Sequence, residues 1–459
     1  MSKTRAVLVS VWLPHVMEVD HDASVAEMGR LAHTLGFDVV RTLVQKRPAL
    51  AAAAVLGEGK LKELAALTGG TGEIPSGATR KVTKAALREQ DAAEDEDDGG
   101  PEAMPPAAQG EPLAEVVIVD NEISPSQIRN LERATGVEVL DRSGVIIEIF
   151  HRHARTREAR LQVELARLAY EAPRLREKPS RGNRQRAGSV GGSGESDLEL
   201  DRRRIRDRMA ALKRELDAIS VEQGTRRARR SDENRVTLVG YTNAGKSSLM
   251  RALTGSEVLV ADQLFATLGT TVRALAGDAK PRVLVSDTVG FIKNLPHDLV
   301  ASFRSTLDEA HEASLLLFVV DASDPAFRSQ LQVTREVLRD IGVTDVPQRL
   351  ILNKCDRVDA ETRKALAVEF PGAIALCALN RQDVANLRST LREFFERDWQ
   401  EARVLLPYHA QRLMGEIREH TRVIAEVHEE EGTHLTLRGP TLYLDKLRRA
   451  IADAIRASP

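Results

Sequence analysis

Apolar positions along this chain change their spacing twice, and each change marks a new kind of structure. Residues 6–11 form a short apolar run that predicts a strand, and 23–35 shows helical spacing that stops at Gly36. β-Branched residues across 39–44 predict a second strand, and 59–67 a second helix. Farther on, 115–120 reads as strand, 124–135 as a helix opened by Ser-Pro and closed by Gly136, and 137–140 as strand. Strands alternating with helices predict a small α/β domain over 1–149. The stretch 69–112 interrupts it. Rich in Gly, Pro, Ala, Asp and Glu, it carries too few apolar side chains to offset the entropy of ordering, so it is expected to be a disordered acidic insertion.

From about Phe150 the spacing becomes that of long helices. Leu161, Leu165, Leu168, Ala172 and Leu175 step by 4, 3, 4, 3, and Ile205, Met209, Leu212, Leu216 and Ile219 repeat the pattern. Two such stripes predict an antiparallel helical hairpin over 150–230, with Pro173 kinking or ending the first helix. The connecting loop, 178–194, holds Lys178, Arg181, Arg184 and Arg186 without one acid. Composition alone fits a basic finger for a phosphate backbone and a solvated loop equally well.

The second change comes at Val236. Apolar strands there alternate with helices, the mark of a parallel α/β sheet, across a domain expected at 231–399. A shorter α+β segment at 400–459 follows, with a helix at 409–420, polar strands at 423–427 and 434–438, and a helix from Leu442 onward.

Composition narrows the picture. A chain of 459 residues is too long for one ordinary core. Hydrophobic content of 42% and charged content of 29% are those of a globular protein, and aromatics at 3% argue against a base-stacking surface. The formal net charge of -2 hides asymmetry: seven acids and no base lie between Asp91 and Glu102, whereas arginine dominates 152–186. A nucleic-acid partner is therefore not excluded. Cys355 and Cys377 are the only cysteines, so neither a disulfide framework nor a CxxC metal site is expected. No apolar run approaches the ~20 residues of a spanning helix. Lys3 and Arg5 precede a run interrupted by Pro14 and His15, which reads as a strand rather than a leader. The expected compartment is the cytoplasm.

Three motifs carry chemistry. After the strand-like run 236–239 comes Gly240-Tyr241-Thr242-Asn243-Ala244-Gly245-Lys246-Ser247-Ser248, which fits GxxxxGK[ST] between a strand and a helix. Such a loop turns backbone N–H groups toward phosphates, and the following helix N-terminus adds positive potential. Lys246 is expected at the outer phosphates and Ser247 on Mg²⁺. A second strand-like run, 283–286, ends in Asp287-Thr288-Val289-Gly290. Asp287 sits where a Mg²⁺ shell needs a carboxylate, and Gly290 can approach a γ-phosphate and swing when it leaves. Many GTPases place a water-orienting glutamine next. Here Phe291 follows, which predicts slow hydrolysis alone and acceleration by a partner.

The third run, 350–352, leads into Asn353-Lys354-Cys355-Asp356. A carboxylate at Asp356 can accept from guanine N1–H and the 2-amino group, donors that adenine lacks, so guanine is the expected base. Lys354 can stack its stem on the base, and Asn353 can tie this segment to the phosphate loop. After 374–376, Cys377-Ala378-Leu379 offers backbone N–H groups to the guanine O6, with cysteine where serine is common. A threonine should complete the Mg²⁺ shell; Thr267, Thr270 and Thr271 are equal candidates on sequence physics.

The residues around these motifs resemble one family. Phe265-Ala266-Thr267-Leu268, Asp287 to Ile292 with Leu295-Pro296-His297, Ala301-Ser302-Phe303-Arg304-Ser305-Thr306-Leu307 and Val320-Asp321-Ala322-Ser323-Asp324-Pro325 are similar to the HflX GTPases. The similarity continues outside that domain in Gln45-Lys46-Arg47, Gly57-Glu58-Gly59-Lys60-Leu61, Ala154-Arg155-Thr156-Arg157-Glu158 and Asp201-Arg202-Arg203, and it spares only the acidic insertion.

The resemblance implies a P-loop GTPase domain preceded by a small α/β domain and a helical hairpin and followed by a small C-terminal domain. It implies a slow GTPase that binds the large ribosomal subunit and its rRNA and splits or rescues stalled ribosomes under stress; a timer of subunit assembly is the alternative. Lys246, Thr267 and Gly290 are expected to act on the phosphates, and the family places Mg²⁺ on Ser247 and Thr267. Gly269 replaces the family's usual aspartate, a departure that would loosen the first switch. The arginine-rich loop at 178–194 is then expected to touch rRNA. DNA is not an expected partner, and the expected state is a monomer.

Overall fold

The computed structural model describes residues 3–50, 53–74, 113–154, 156–175, 197–228, 234–255, 265, 271–276, 282–293 and 309–456. They form two compact units, Met1–Arg152 with Val163–Ala211, and His153–Gln162 with Leu212–Pro459.

The first unit is built on a parallel sheet. Its elements are β1 (Thr4–Trp12), α1 (Glu18–Thr34), β2 (Phe37–Lys46), α2 (Glu58–Thr68), β3 (Val116–Val119), α3 (Pro125–Thr135) and β4 (Glu138–Asp141). The strands lie in the order β2-β1-β3-β4, every pair parallel. β1 is buried without a break from Ala6 to Val11 because helices cover both of its faces, the usual state of a parallel strand. Val7, Val9, Val117, Val119, Leu61, Leu64 and Leu131 form one core layer. α3 starts with a capping box. Ser124 Oγ accepts from Gln127 N, and Gln127 Oε1 accepts from Ser124 N.

Two expectations are corrected here. The acidic insertion was expected from residue 69, but 69–74 are ordered. Gly72 N–H bonds Ala134 O at 2.9 Å, Ile74 packs on the core, and Gly70 lies where a Cβ would come within 2.2 Å of Ala134 O. The rest of that segment, 75–112, lies outside the described residues. The boundary expected at 149/150 falls inside α4 (Arg142–His153), a helix the spacing did not reveal, with Val145, Ile146, Ile149 and Phe150 buried.

The hairpin follows as α5 (Arg157–Glu171), a 3-10 turn at Ala172–Arg174 that contains Pro173, and α6 (Asp197–Ala228). Arg157 pairs with Glu215 and Glu164 with Arg208, so the partners run in opposite order and the helices are antiparallel. The expected stripe on α6 is its less exposed face, with Leu212 fully buried. On α5 only Leu161 of the expected stripe is buried. Ala159, Val163 and Ala166 are buried instead, at the same spacing on a neighbouring face. The arginine-rich loop at 178–194 lies outside the described residues.

The second unit holds two sheets. The first contains β5 (Asn234–Val239), α7 (Lys246–Thr254), β6 (Thr271–Ala274), β7 (Val283–Asp287), β8 (Leu315–Asp321), α8 (Phe327–Asp340), β9 (Gln348–Asn353), α9 (Ala360–Glu369), β10 (Ile374–Ala375) and α10 (Arg381–Glu396). Its order is β10-β9-β8-β5-β7-β6, parallel except for the edge strand β6, which pairs antiparallel with β7. β5 and β8 run through the middle, and Val236, Leu238, Leu317, Val319 and Ile351 pack there with Leu249 and Leu253 of α7. All parallel strands therefore present their carboxyl ends along one edge.

The last sheet is antiparallel. It is formed by β11 (Trp399–Leu406), β12 (Arg422–Glu429) and β13 (Gly432–Pro440), with α11 (Leu413–His420) and α12 (Thr441–Arg456) packed on it. β11 was not foreseen. Trp399 already pairs with Pro440, so the boundary expected at 399/400 falls one residue inside this strand. No described helix is long and apolar enough to cross a membrane.

Candidate functional site

The phosphate loop leaves the middle of the six-stranded sheet where β5 ends. Gly240 passes so close to β8 that a Cβ would meet Val319 O at 2.2 Å, so no other residue fits. Asn243 (φ 59°) and Gly245 (φ 94°) then turn the chain through the left-handed region into α7. A Cβ on Gly245 would strike Asn353 Nδ2 at 2.2 Å. The N–H groups at the start of a helix and its dipole make such a turn attractive to anions.

Lys246 is buried at the centre of that turn, and its Nζ donates to Gly240 O at 2.9 Å and Tyr241 O at 2.8 Å. Burial pushes its pKa down to about 8, against the opposing pull of Asp287. At neutral pH the ammonium is therefore still charged, hydrogen-bonded among the described residues to two carbonyl oxygens.

β7 brings in the aspartate. Leu238 faces Asp287 in the parallel register, and Asp287 is fully buried. Ser247 Oγ donates to Asp287 Oδ2 at 2.7 Å, and Thr288 Oγ1 donates to Leu238 O at 2.8 Å. A hydroxyl and a carboxylate beside a phosphate loop are hard oxygen donors of the kind Mg²⁺ selects. These residues fit that ion. Gly290 lies against the loop, where a Cβ would sit 2.9 Å from Thr242 Cγ2 and 3.1 Å from Lys246 Nζ. Phe291 is buried, its N–H donates to Gly240 O at 3.1 Å, and its carbonyl accepts from Thr242 N at 2.8 Å.

The remaining candidate segments follow β9 and β10. Asn353 is 1% exposed; its Nδ2 donates to Ala244 O at 2.8 Å and its Oδ1 accepts from Ala378 N at 3.1 Å. One side chain thus ties the phosphate loop, the end of β9 and the turn after β10 together. Lys354 (φ 59°) donates to Asn243 O at 2.8 Å and to Asp321 Oδ2 at 2.7 Å. Cys355 is buried, with Sγ donating to Leu352 O. Asp356 is exposed, and the thiol of Cys377 donates to its carboxylate, which lowers the Asp356 pKa and keeps the group ionised. Burial, followed by the same bond, raises the pKa of the Cys377 thiol. Cys377 N donates to Asp383 Oδ2 at 2.8 Å, and Leu379 is 77% exposed.

Gly240 to Ser248, Asp287 to Gly290, Asn353 to Asp356 and Cys377 to Leu379 thus gather at one sheet edge. Phe265 is buried with φ 60°. Ala266, Thr267, Leu268 and Gly269 lie outside the described residues, as do Thr270 and the other family-like segments between 294 and 308. Sequence reasoning gave no role to Asp321, which grips Lys354, or to Asp383, which orients the Cys377 backbone. The only signals were an acid ending a strand and an acid in the first turn of a helix.

Fold and edge together define a P-loop GTPase architecture. Comparison with known proteins bears on which one. The family described as "50S ribosome-binding GTPase" matches residues 235–354. "GTP-binding GTPase N-terminal" matches 22–73 and 104–151, and "GTP-binding GTPase Middle Region" matches 153–230. GTPase HflX of Gluconacetobacter diazotrophicus is 60% identical over 97% of this chain and 98% of its own length. The Caldanaerobacter subterraneus GTPase HflX is 34% identical over 94% and 90%. A solved GTP-binding protein from Sulfolobus solfataricus in complex with GDP is 22% identical, with a TM-score of 0.41 over 85% of this chain and 98% of that one. This chain belongs to the HflX GTPase family.

Proposed function

We propose that the edge formed by β5, β7, β9 and β10 binds GTP with Mg²⁺ and hydrolyses it to GDP and phosphate, slowly until a large ribosomal subunit is engaged. The observation that carries the guanine reading is Asn353, bonded at once to Ala244 of the phosphate loop and Ala378 of the base-reading turn. With the phosphates seated by the loop, that joint sets Asp356 at the distance of the base. Ser247 would hold Mg²⁺ together with Thr267, and the ion would supply charge neutralisation at the phosphates.

The residues of this chain act on the reaction in sequence. Backbone N–H groups of 243–248 cradle the phosphates, and Lys246 neutralises charge that builds on the departing GDP oxygen. Water attacks the γ-phosphorus, the bond to the β–γ bridging oxygen breaks with its electron pair leaving on GDP, and the water proton passes to phosphate or solvent. Gly290 presents its N–H to the γ-phosphate. Phe291 has no side-chain group to orient the water, so the partner must supply or induce that orientation.

Support for a ribosomal partner comes from the family description that matches 235–354 and from the arginines of 178–194. The reading extends to splitting or rescue of stalled ribosomes by a cytoplasmic monomer that touches rRNA and not DNA. GTP hydrolysis measured with and without purified large subunits tests it, with Lys246→Ala as control. Absent stimulation would refute the ribosomal part. Intact ribosomes incubated with the protein and a nonhydrolysable analogue should dissociate on sucrose gradients; unchanged 70S particles would point to subunit assembly instead.

A further inference from the structure

One phosphate-loop side chain reaches across to the segment that follows Asp287. Tyr241 is 5% exposed, and its hydroxyl accepts the backbone N–H of Lys293 at 2.6 Å. Two backbone bonds join the same pair of segments, Phe291 N–H to Gly240 O at 3.1 Å and Thr242 N–H to Phe291 O at 2.8 Å. Tyr241 and Phe291 form an isolated parallel bridge beyond the end of the β5–β7 pairing. Within this strap Gly290 is pressed against Lys246, close enough that an added Cβ would stand 3.1 Å from Nζ. The strap therefore fills space beside the ammonium that draws the outermost phosphate of a triphosphate.

We propose that Tyr241 is a clasp that holds the segment after Asp287 on the phosphate loop and thereby biases the site toward the diphosphate. The inference rests on the guanine-nucleotide reading above and adds a regulatory residue to it. A diphosphate ends short of Gly290 and leaves the strap in place. A triphosphate must shift Gly290 to reach Lys246, and so works against the strap's hydrogen bonds. A ligand moves such an equilibrium only by its differential affinity for the two arrangements, so each bond in the strap subtracts from triphosphate affinity alone. Tyr241 contributes a bond that can be removed without touching the backbone of the loop. It is a positioning residue.

The test measures equilibrium affinities of the full chain for fluorescent GDP and a fluorescent nonhydrolysable GTP analogue in the presence of Mg²⁺. Tyr241→Phe keeps the ring and removes the hydroxyl. The ratio of triphosphate to diphosphate affinity is expected to rise about fivefold, the worth of one net hydrogen bond. Lys293→Pro removes the same bond from the donor side and should raise the ratio similarly, and the double variant should exceed neither single change because one bond is lost only once. If both affinities fell together at a constant ratio, Tyr241 would be a packing residue and the clasp would be overturned. Wild-type protein that bound neither nucleotide would overturn the guanine reading and the clasp with it. Wild-type preference for guanine nucleotides, with an unchanged ratio in both variants, would overturn the clasp alone.

Discussion

The chain contains two parallel sheets whose carboxyl ends both carry buried charge, and they use it in opposite ways. At the N-terminal sheet Arg142, 1% exposed, donates Nη1 to Asp120 Oδ1 at 2.7 Å and Nη2 to Glu27, while Ser10 and His21 continue the network from Asp120. The cation is matched by carboxylates of the same chain, so its charge is already answered. At the central sheet Lys246 is buried almost as deeply, yet its hydrogen bonds among the described residues go to two carbonyls, and Asp356 faces outward. Here the charges are left for something else to complete. Burial of charge alone therefore does not mark a site; what separates the two edges is whether the partner is already present.

That contrast can be broken from either side. Arg142→Ala should destabilise the first unit by about 3–5 kcal/mol, because two buried carboxylates lose their cation; thermal or urea unfolding reads it. Unchanged stability would mean that the pairing of Arg142 with Glu27 and Asp120 does not hold the unit together. Lys246→Ala should do the reverse, sparing stability while weakening GDP and GTP binding by about 2–3 kcal/mol, the worth of charged hydrogen bonds, read by calorimetry.

Asp356→Ala should cost guanine nucleotides about 1.5–3 kcal/mol and leave the weak binding of ADP and ATP unchanged, so that discrimination collapses. Equal loss for both bases would remove Asp356 from the reading of the base. A smaller effect follows from the depressed pKa of Lys246. Its value of about 8 lies below that of an unfolded lysine, so between these values the unfolded chain holds more proton. The contribution of this group to stability should rise with pH above about 8. Nucleotide affinity should move the other way, falling as the ammonium deprotonates, and Lys246→Met should flatten both profiles. Titration of affinity from pH 7 to 9.5 checks the sign.

Cys377→Ser belongs at the bottom of the scale. A thiol hydrogen bond lowers the Asp356 pKa, and a hydroxyl donates better, so guanine affinity should change only slightly, rising by less than about 1 kcal/mol.

Much of the fold was legible before any coordinates. α3 was readable because its capping box and Gly136 are local, and β5, β7 and β9 because each apolar run ends in a motif whose spacing is its own signature. α4 was not legible. Its buried face begins with Arg142, Ser143 and Gly144, polar or small residues, and Arg142 is matched by Asp120 and Glu27, more than twenty and more than a hundred residues away respectively. β11 was missed because its apolar positions become a pattern only when paired with β13. On α5 the heptad spacing held, but leucines outranked the smaller Ala159, Val163 and Ala166 that are buried.

Residue order alone was enough to mark the loop, the aspartate and the Asn353 to Asp356 segment as candidates, because each is a short run whose backbone conformation and chemistry depend on its immediate neighbours. Tertiary structure alone decided that Asn353 spans from Ala244 to Ala378, that Asp321 holds Lys354, that Cys377 donates to Asp356, and that Tyr241 closes on Lys293. These are contacts between strand ends far apart in the chain. Hydrogen bonds of that kind are chosen by sheet order and register, and neither quantity is written in the spacing of any single segment.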